Sequence, residues 1–170
     1  HSDIKTSLDK LGLQNWQQRK ATVKKRIRDI ASGLLKVAAE RELKSGDLMS
    51  PNLLEYEKFS SQFEFTETSD QIKSIRQIED DLSSGKPMDR LICGDVGFGK
   101  TEIAMRAAFI AVSSGFQVAI ICPKLLLVNQ HAETFKKRFD NFSYVIEKIS
   151  RLESIKKKKQ IKEDIRDGAI

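Results

Sequence analysis

Cysteine is scarce, internal repeats are missing, and no stretch of the chain is apolar for long. The two cysteines, Cys93 and Cys122, are too few for a disulfide framework. Both fall at the ends of short apolar stretches and read as buried free thiols of a cytosolic protein. No run reaches the roughly 18 apolar residues that a membrane-crossing helix needs. No secretory leader is recognisable at the start. Together these absences give the expectation of a cytoplasmic protein with no membrane partner. Low complexity is confined to the lysines of 156–159. The chain opens at His1 and closes at Ile170 as an apolar stretch begins, which reads as a piece cut from a longer protein.

The composition is that of a soluble globular protein, 39% apolar and 32% charged over 170 residues. A net charge of +6 permits an acidic partner such as nucleic acid without requiring one. Residues 1–15 are polar and without period. From about 16 to 44, Val23, Ile27, Ile30, Leu34 and Val37 recur every three or four residues, so a long amphipathic helix is predicted there. Gly33 is its weak point, and Ser45-Gly46 its stop. The plain reading of this pattern is a helix packed on a neighbour, and its basic opposite face is also open to nucleic acid. A short helix is expected near Leu53–Phe59. Another follows through Ile72, Ile75, Ile78 and Leu82.

Beyond residue 85 the pattern alternates. Segments 90–93, 117–122 and 143–149 read as strands, the second one buried on both faces. Helices are predicted over about 100–114, 125–139 and 152–166. Strands alternating with helices at this rhythm mean an α/β fold with a parallel sheet.

The first strand runs into Gly94-Asp95-Val96-Gly97-Phe98-Gly99-Lys100-Thr101. This fits G-x-x-x-x-G-K-[ST], a phosphate-binding loop, in its strand–loop–helix setting. The glycines let backbone N–H groups converge on phosphate oxygens, and the helix that follows adds its positive end. Lys100 is placed for the β- and γ-phosphates, and the Thr101 hydroxyl for Mg²⁺. The competing interpretation is a glycine-rich turn before an exposed lysine. Upstream, Gln71 has a carboxamide able to donate and accept at once against a purine edge, and Phe65 a ring able to stack on it. Read without further context, Thr68-x-x-Gln71 is more often a plain helix start with a solvated glutamine.

The segment from Met88 to Phe109 closely resembles the bacterial transcription-repair coupling factors, superfamily 2 DNA translocases, and the similarity runs from about Leu11 to the end. The resemblance implies an incomplete RecA-like motor lobe over 65–170. It is preceded over 1–64 by a lead-in and linker helix. It implies ATP and Mg²⁺ as cofactors and an adenine-recognising element in which Phe65, Thr68 and Gln71 match. The nucleotide set is completed by Gly94, Asp95, Val96, Gly97, Phe98, Gly99, Lys100, Thr101 and Glu102. Residues 123–131 match a DNA-backbone contact, giving Lys124 and Gln130 as candidates, and Arg151 follows from a matching Ser-Arg pair. The family usually has threonines after that proline. Here Lys124 and Leu125 stand instead.

By the same resemblance the partners are double-stranded DNA, stalled RNA polymerase and excision-repair proteins. The Asp-Glu pair and the second lobe with its arginine finger do not occur in these residues, so hydrolysis by the chain alone is not expected. That finger is worth about 10³–10⁵ in rate. The related branch-migration helicase, and a non-catalytic interaction module with a relic loop, are the rival interpretations. The net +4 of residues 151–166 reads as a solvated helix face or as a salt-sensitive phosphate contact.

Overall fold

The structure, a computed structural model, describes residues 14–170 of the chain. The expectation of an irregular lead-in over residues 1–15, and the start of the resemblance near Leu11, fall largely outside those residues. Two compact units divide between Lys44 and Ser45.

The first unit carries α1, Gln14–Glu42. It runs unbroken through Gly33, so the propensity cost of one glycine, about 1 kcal/mol, does not interrupt it. Its apolar stripe of Val23, Ile27, Ile30 and Leu34 is exposed.

The second unit holds α2 (Leu53–Ser61), α3 (Ser69–Ser83), α4 (Lys100–Ser113), α5 (Leu125–Phe139) and α6 (Ile155–Arg166). Their starts are locally encoded. The Asn52 side chain accepts from the N–H groups of Leu54 and Glu55 at the head of α2. Thr68 and Gln71 close a reciprocal capping box on α3. Ser154 accepts from the Lys157 N–H at the head of α6.

α4 is the central element. One side of it gives Met105, Ala108 and Phe109 to a cluster with Phe59 of α2 and Phe135 and Phe139 of α5. The rings of Phe59 and Phe109 stack at 4.3 Å between centroids, an arrangement favoured beyond the area it buries. The other side gives Ile103 to Ile75 and Ile78 of α3, with Ile92 packed alongside. The 3–4 spacing of the α3 and α5 apolar residues thus lands on α4 from two directions.

Among the described residues no strand ladder forms, and segments 90–93, 117–122 and 143–149 have neither helix nor ladder. A ladder requires a neighbour about 4.8 Å away. Segments 117–122 and 143–149 instead stand across a cavity of about 590 Å³ lined by both. Segment 117–122, expected to be buried on both faces, has Ile120 at 51% and Ile121 at 94% exposure. Residues 143–149 do keep the period of two: Tyr144, Ile146 and Lys148 are half-buried, while the odd positions are exposed. The thiols are free, but Cys93 is exposed and Cys122 half-buried, because the segments that carry them lack covering neighbours.

Candidate nucleotide-binding site

The loop 94–101 is held at its entry and its exit. Before it, Arg90 donates to Asp81 Oδ2 at 2.6 Å and to Gln77 Oε1 at 3.1 Å, both on α3. Ile92 is seated among the isoleucines of α3 and α4. After it, α4 starts directly at Lys100. Gly97 and Gly99 have φ of 85° and 72°, the left-handed region where a side chain costs roughly 1–2 kcal/mol. Gly99 is itself the N-cap of α4, with no side-chain cap. The loop crest faces outward, Val96 at 98% and Phe98 at 63% exposure.

Lys100 folds over this loop. Its ammonium donates to the carbonyl oxygens of Gly94 at 2.7 Å and Asp95 at 2.6 Å. The positive charge therefore sits at the loop and not out in solvent. Thr101 is half-buried in the first turn of α4.

The upstream residues reach the same place. The Gln71 carboxamide accepts from the Thr68 N–H at 2.8 Å and donates to the Phe98 carbonyl at 3.1 Å. A Cβ added to Gly99 would collide with the Gln71 amide nitrogen. The glutamine is thus the capping residue of α3, and it is half-buried against the loop. Phe65 is 71% exposed and meets Phe63 edge-on at 5.6 Å.

Glu102 does not face the loop crest. It is buried, and accepts from Arg106 Nε at 2.7 Å and from Arg138 at 3.0 Å. Arg106 also donates to Glu67 at 2.5 Å. Burial alone would ease the proton off Arg106, but its hydrogen bonds to Glu102 and Glu67 outweigh that and hold it more firmly than usual. The Glu67 carboxyl is held below its ordinary range, first by its own backbone N–H and then by Arg106. The sequence carries a partial signal for this cluster, since Glu102 and Arg106 are one helical turn apart. Nothing in the spacing marks Arg138 or Glu67.

The remaining candidates lie elsewhere. Lys124, the exposed N-cap of α5, and Gln130 and Arg151, also exposed, are not among the residues gathered at the loop. Lysines of α6 find local partners: Lys157 with Glu147 at 3.4 Å, Lys158 with the Arg151 carbonyl at 3.3 Å, and Lys159 with Glu163 at 3.8 Å. That arrangement favours the solvated face. No described helix is long and apolar enough to cross a membrane.

Residues 68–168 match the family model described as DEAD/DEAH box helicase. Curated relatives named "Transcription-repair-coupling factor" are similar over nearly the whole chain. Those of Rickettsia bellii and Haemophilus influenzae are each 45% identical over 99% of it. That of Bacillus subtilis is 42% identical over 96%. The chain spans about 15% of the length of these relatives.

Proposed function

Because this chain belongs to the DEAD/DEAH box helicase family, we propose that it is the ATP-binding part of a double-stranded DNA translocase that couples transcription to nucleotide-excision repair. The observation that carries the nucleotide reading is the loop 94–101. Two left-handed glycines turn it directly into α4, and the Lys100 ammonium already lies across it.

The residues present fit ATP and Mg²⁺. Lys100 is positioned to exchange two carbonyl oxygens for phosphate oxygens, which are stronger, charged acceptors. Loop amides between 95 and 101, with the positive end of α4, favour the same anion. Thr101 supplies a hydroxyl for Mg²⁺, and the metal neutralises phosphate charge when bound. Gln71, Thr68 and Phe65 form the base-binding side, where Gln71 lies against Phe98. Glu102 supports this site from within through its arginines. Segments 90–93, 117–122 and 143–149 are strands of the parallel sheet of a RecA-like lobe, over 65–170, in the intact protein. Residues 1–64 are its lead-in and linker.

Lys124, Gln130 and Arg151 are exposed polar residues and serve as DNA-backbone contacts in this reading. The names of the relatives support coupling of transcription to repair. They favour it over the branch-migration helicase. Displacement of stalled RNA polymerase and recruitment of excision-repair proteins, in the cytoplasm, belong to this reading of the intact protein. The chain alone binds nucleotide weakly and does not hydrolyse it. Calorimetric titration with ATP and Mg²⁺, beside a steady-state phosphate-release assay, tests this. Saturable binding without turnover is expected. Clear turnover by the 170 residues, or no binding at all, contradicts it.

A further inference from the structure

Four charged side chains, two carboxylates and two guanidiniums, meet behind the loop. In Glu102, Arg106 and Arg138 the side chains are 5%, 6% and 11% exposed, and in Glu67 29%. Removing such groups from water costs several kcal/mol each, and even a well-formed buried pair often adds nothing to stability over an apolar equivalent. A flat, forked guanidinium does give direction, because its donors fix the angle at which two partners meet.

The directions here form a closed circuit. Arg106, on the second turn of α4, holds Glu67. Glu67 is followed by Thr68, whose N–H is capped by Gln71. Gln71 reaches back to the Phe98 carbonyl in the loop that opens α4. Segment 65–71 is therefore pinned twice, by Arg106 near its start and by the loop at its end. From the other side, Arg138 of α5 grips Glu102. It also donates to Gln62 at 3.1 Å and lies 4.1 Å over the Phe59 ring. Arg106 touches the Ser60 carbonyl at 3.5 Å. The stretch 59–67 is thus drawn onto α4 and α5 just before the exposed Phe65 and the capped Gln71 are presented.

We propose that the Glu67–Arg106–Glu102–Arg138 cluster positions the base-binding segment 65–71 against the phosphate loop, and so sets how much affinity the base adds to that of the phosphates. This rests on the nucleotide reading given above. Glu67 and Arg106 are positioning residues, acting through Phe65 and Gln71.

The test compares ATP with inorganic tripolyphosphate, each with Mg²⁺, by calorimetry on the full chain and on Glu67→Gln and Arg106→Lys. Tripolyphosphate reads the loop alone, and ATP reads the loop and the base segment together. Glu67→Gln removes charge at the most exposed member, leaving the buried Glu102 contacts intact, so the fold is retained. Loss of one charge-assisted hydrogen bond should weaken ATP about tenfold. Tripolyphosphate should stay within about twofold, since no loop contact is touched. Arg106→Lys keeps the charge but loses the fork and should show the same split. An unchanged ratio in both variants, whether the two affinities hold or fall together, overturns the positioning role alone. Failure of the unaltered chain to bind either probe overturns the nucleotide reading and this role with it.

Discussion

The Gln71 amide nitrogen lies on the Phe98 carbonyl at 3.1 Å, and the space it occupies is the space a Gly99 side chain would need. Two separate demands therefore meet at Gly99, a φ of 72° and contact with a neighbouring amide. Gly99→Ala should lose roughly 1–2 kcal/mol from the left-handed backbone alone, and displace Gln71 as well. Urea unfolding should show the lost stability. Nucleotide titration should show weakened ATP binding, as Gln71 can no longer rest on the loop. Unchanged ATP affinity in a folded Gly99→Ala chain would contradict this geometry.

Glu102 is a buried carboxylate shared by two guanidiniums. Taking away one member of a buried ion group leaves the others unpaired, at about 3–5 kcal/mol. Glu102→Ala should lower the urea midpoint by that loss divided by the slope of the transition, with the slope itself unchanged. A loss below about 1 kcal/mol, the range of surface pairs, would mean that the arginines find solvent instead.

Acid should release Glu67. Its folded carboxyl titrates below its ordinary value of 4.5, through its own backbone N–H and then Arg106. A depressed carboxyl contributes stability that is present above its unfolded value and is lost as pH falls through its folded value. The stability difference between the unaltered chain and Glu67→Gln should therefore be constant from about pH 7 to about pH 5.5, and shrink below about pH 4.5. Urea midpoints across that range provide the check. A difference that grows toward low pH has the wrong sign for this account.

Phe109 is fully buried and touches the rings of Phe59, Phe139, Phe142 and Tyr144. Phe109→Ala should cost about 3–5 kcal/mol, through lost transfer energy and the cavity left behind. Thermal unfolding by circular dichroism measures it. The same substitution at Phe65, 71% exposed, should leave thermal stability within about 0.5 kcal/mol.

Much of this arrangement is legible in the residues. Ile75 and Ile78, a helical turn apart, end in one cluster, and Phe135 and Phe139 in the other, because the 3.6-residue period puts them on one face. Thr68 and Gln71 announce a helix start, and they make one. The loop is recognisable because its chemistry depends on glycines at fixed offsets from Lys100. What spacing cannot carry is pairing over distance. Arg138 meets Glu102 because α5 packs on α4 through Phe135 and Phe139, a consequence of tertiary packing. The apolar run 117–122 says that those residues want cover on both sides, but not which segment supplies it. Here Ile121 lies open, and Cys93 with it.

The central claim is that the loop closed by Lys100 grips the phosphates of a nucleotide. Its most direct measurement is titration of ATP and Mg²⁺ into the unaltered chain and into Lys100→Ala. Loss of this ammonium should weaken binding about ten- to hundredfold, the worth of a charge-assisted contact, while the circular dichroism spectrum stays the same. Equal affinity in the two proteins would contradict the account.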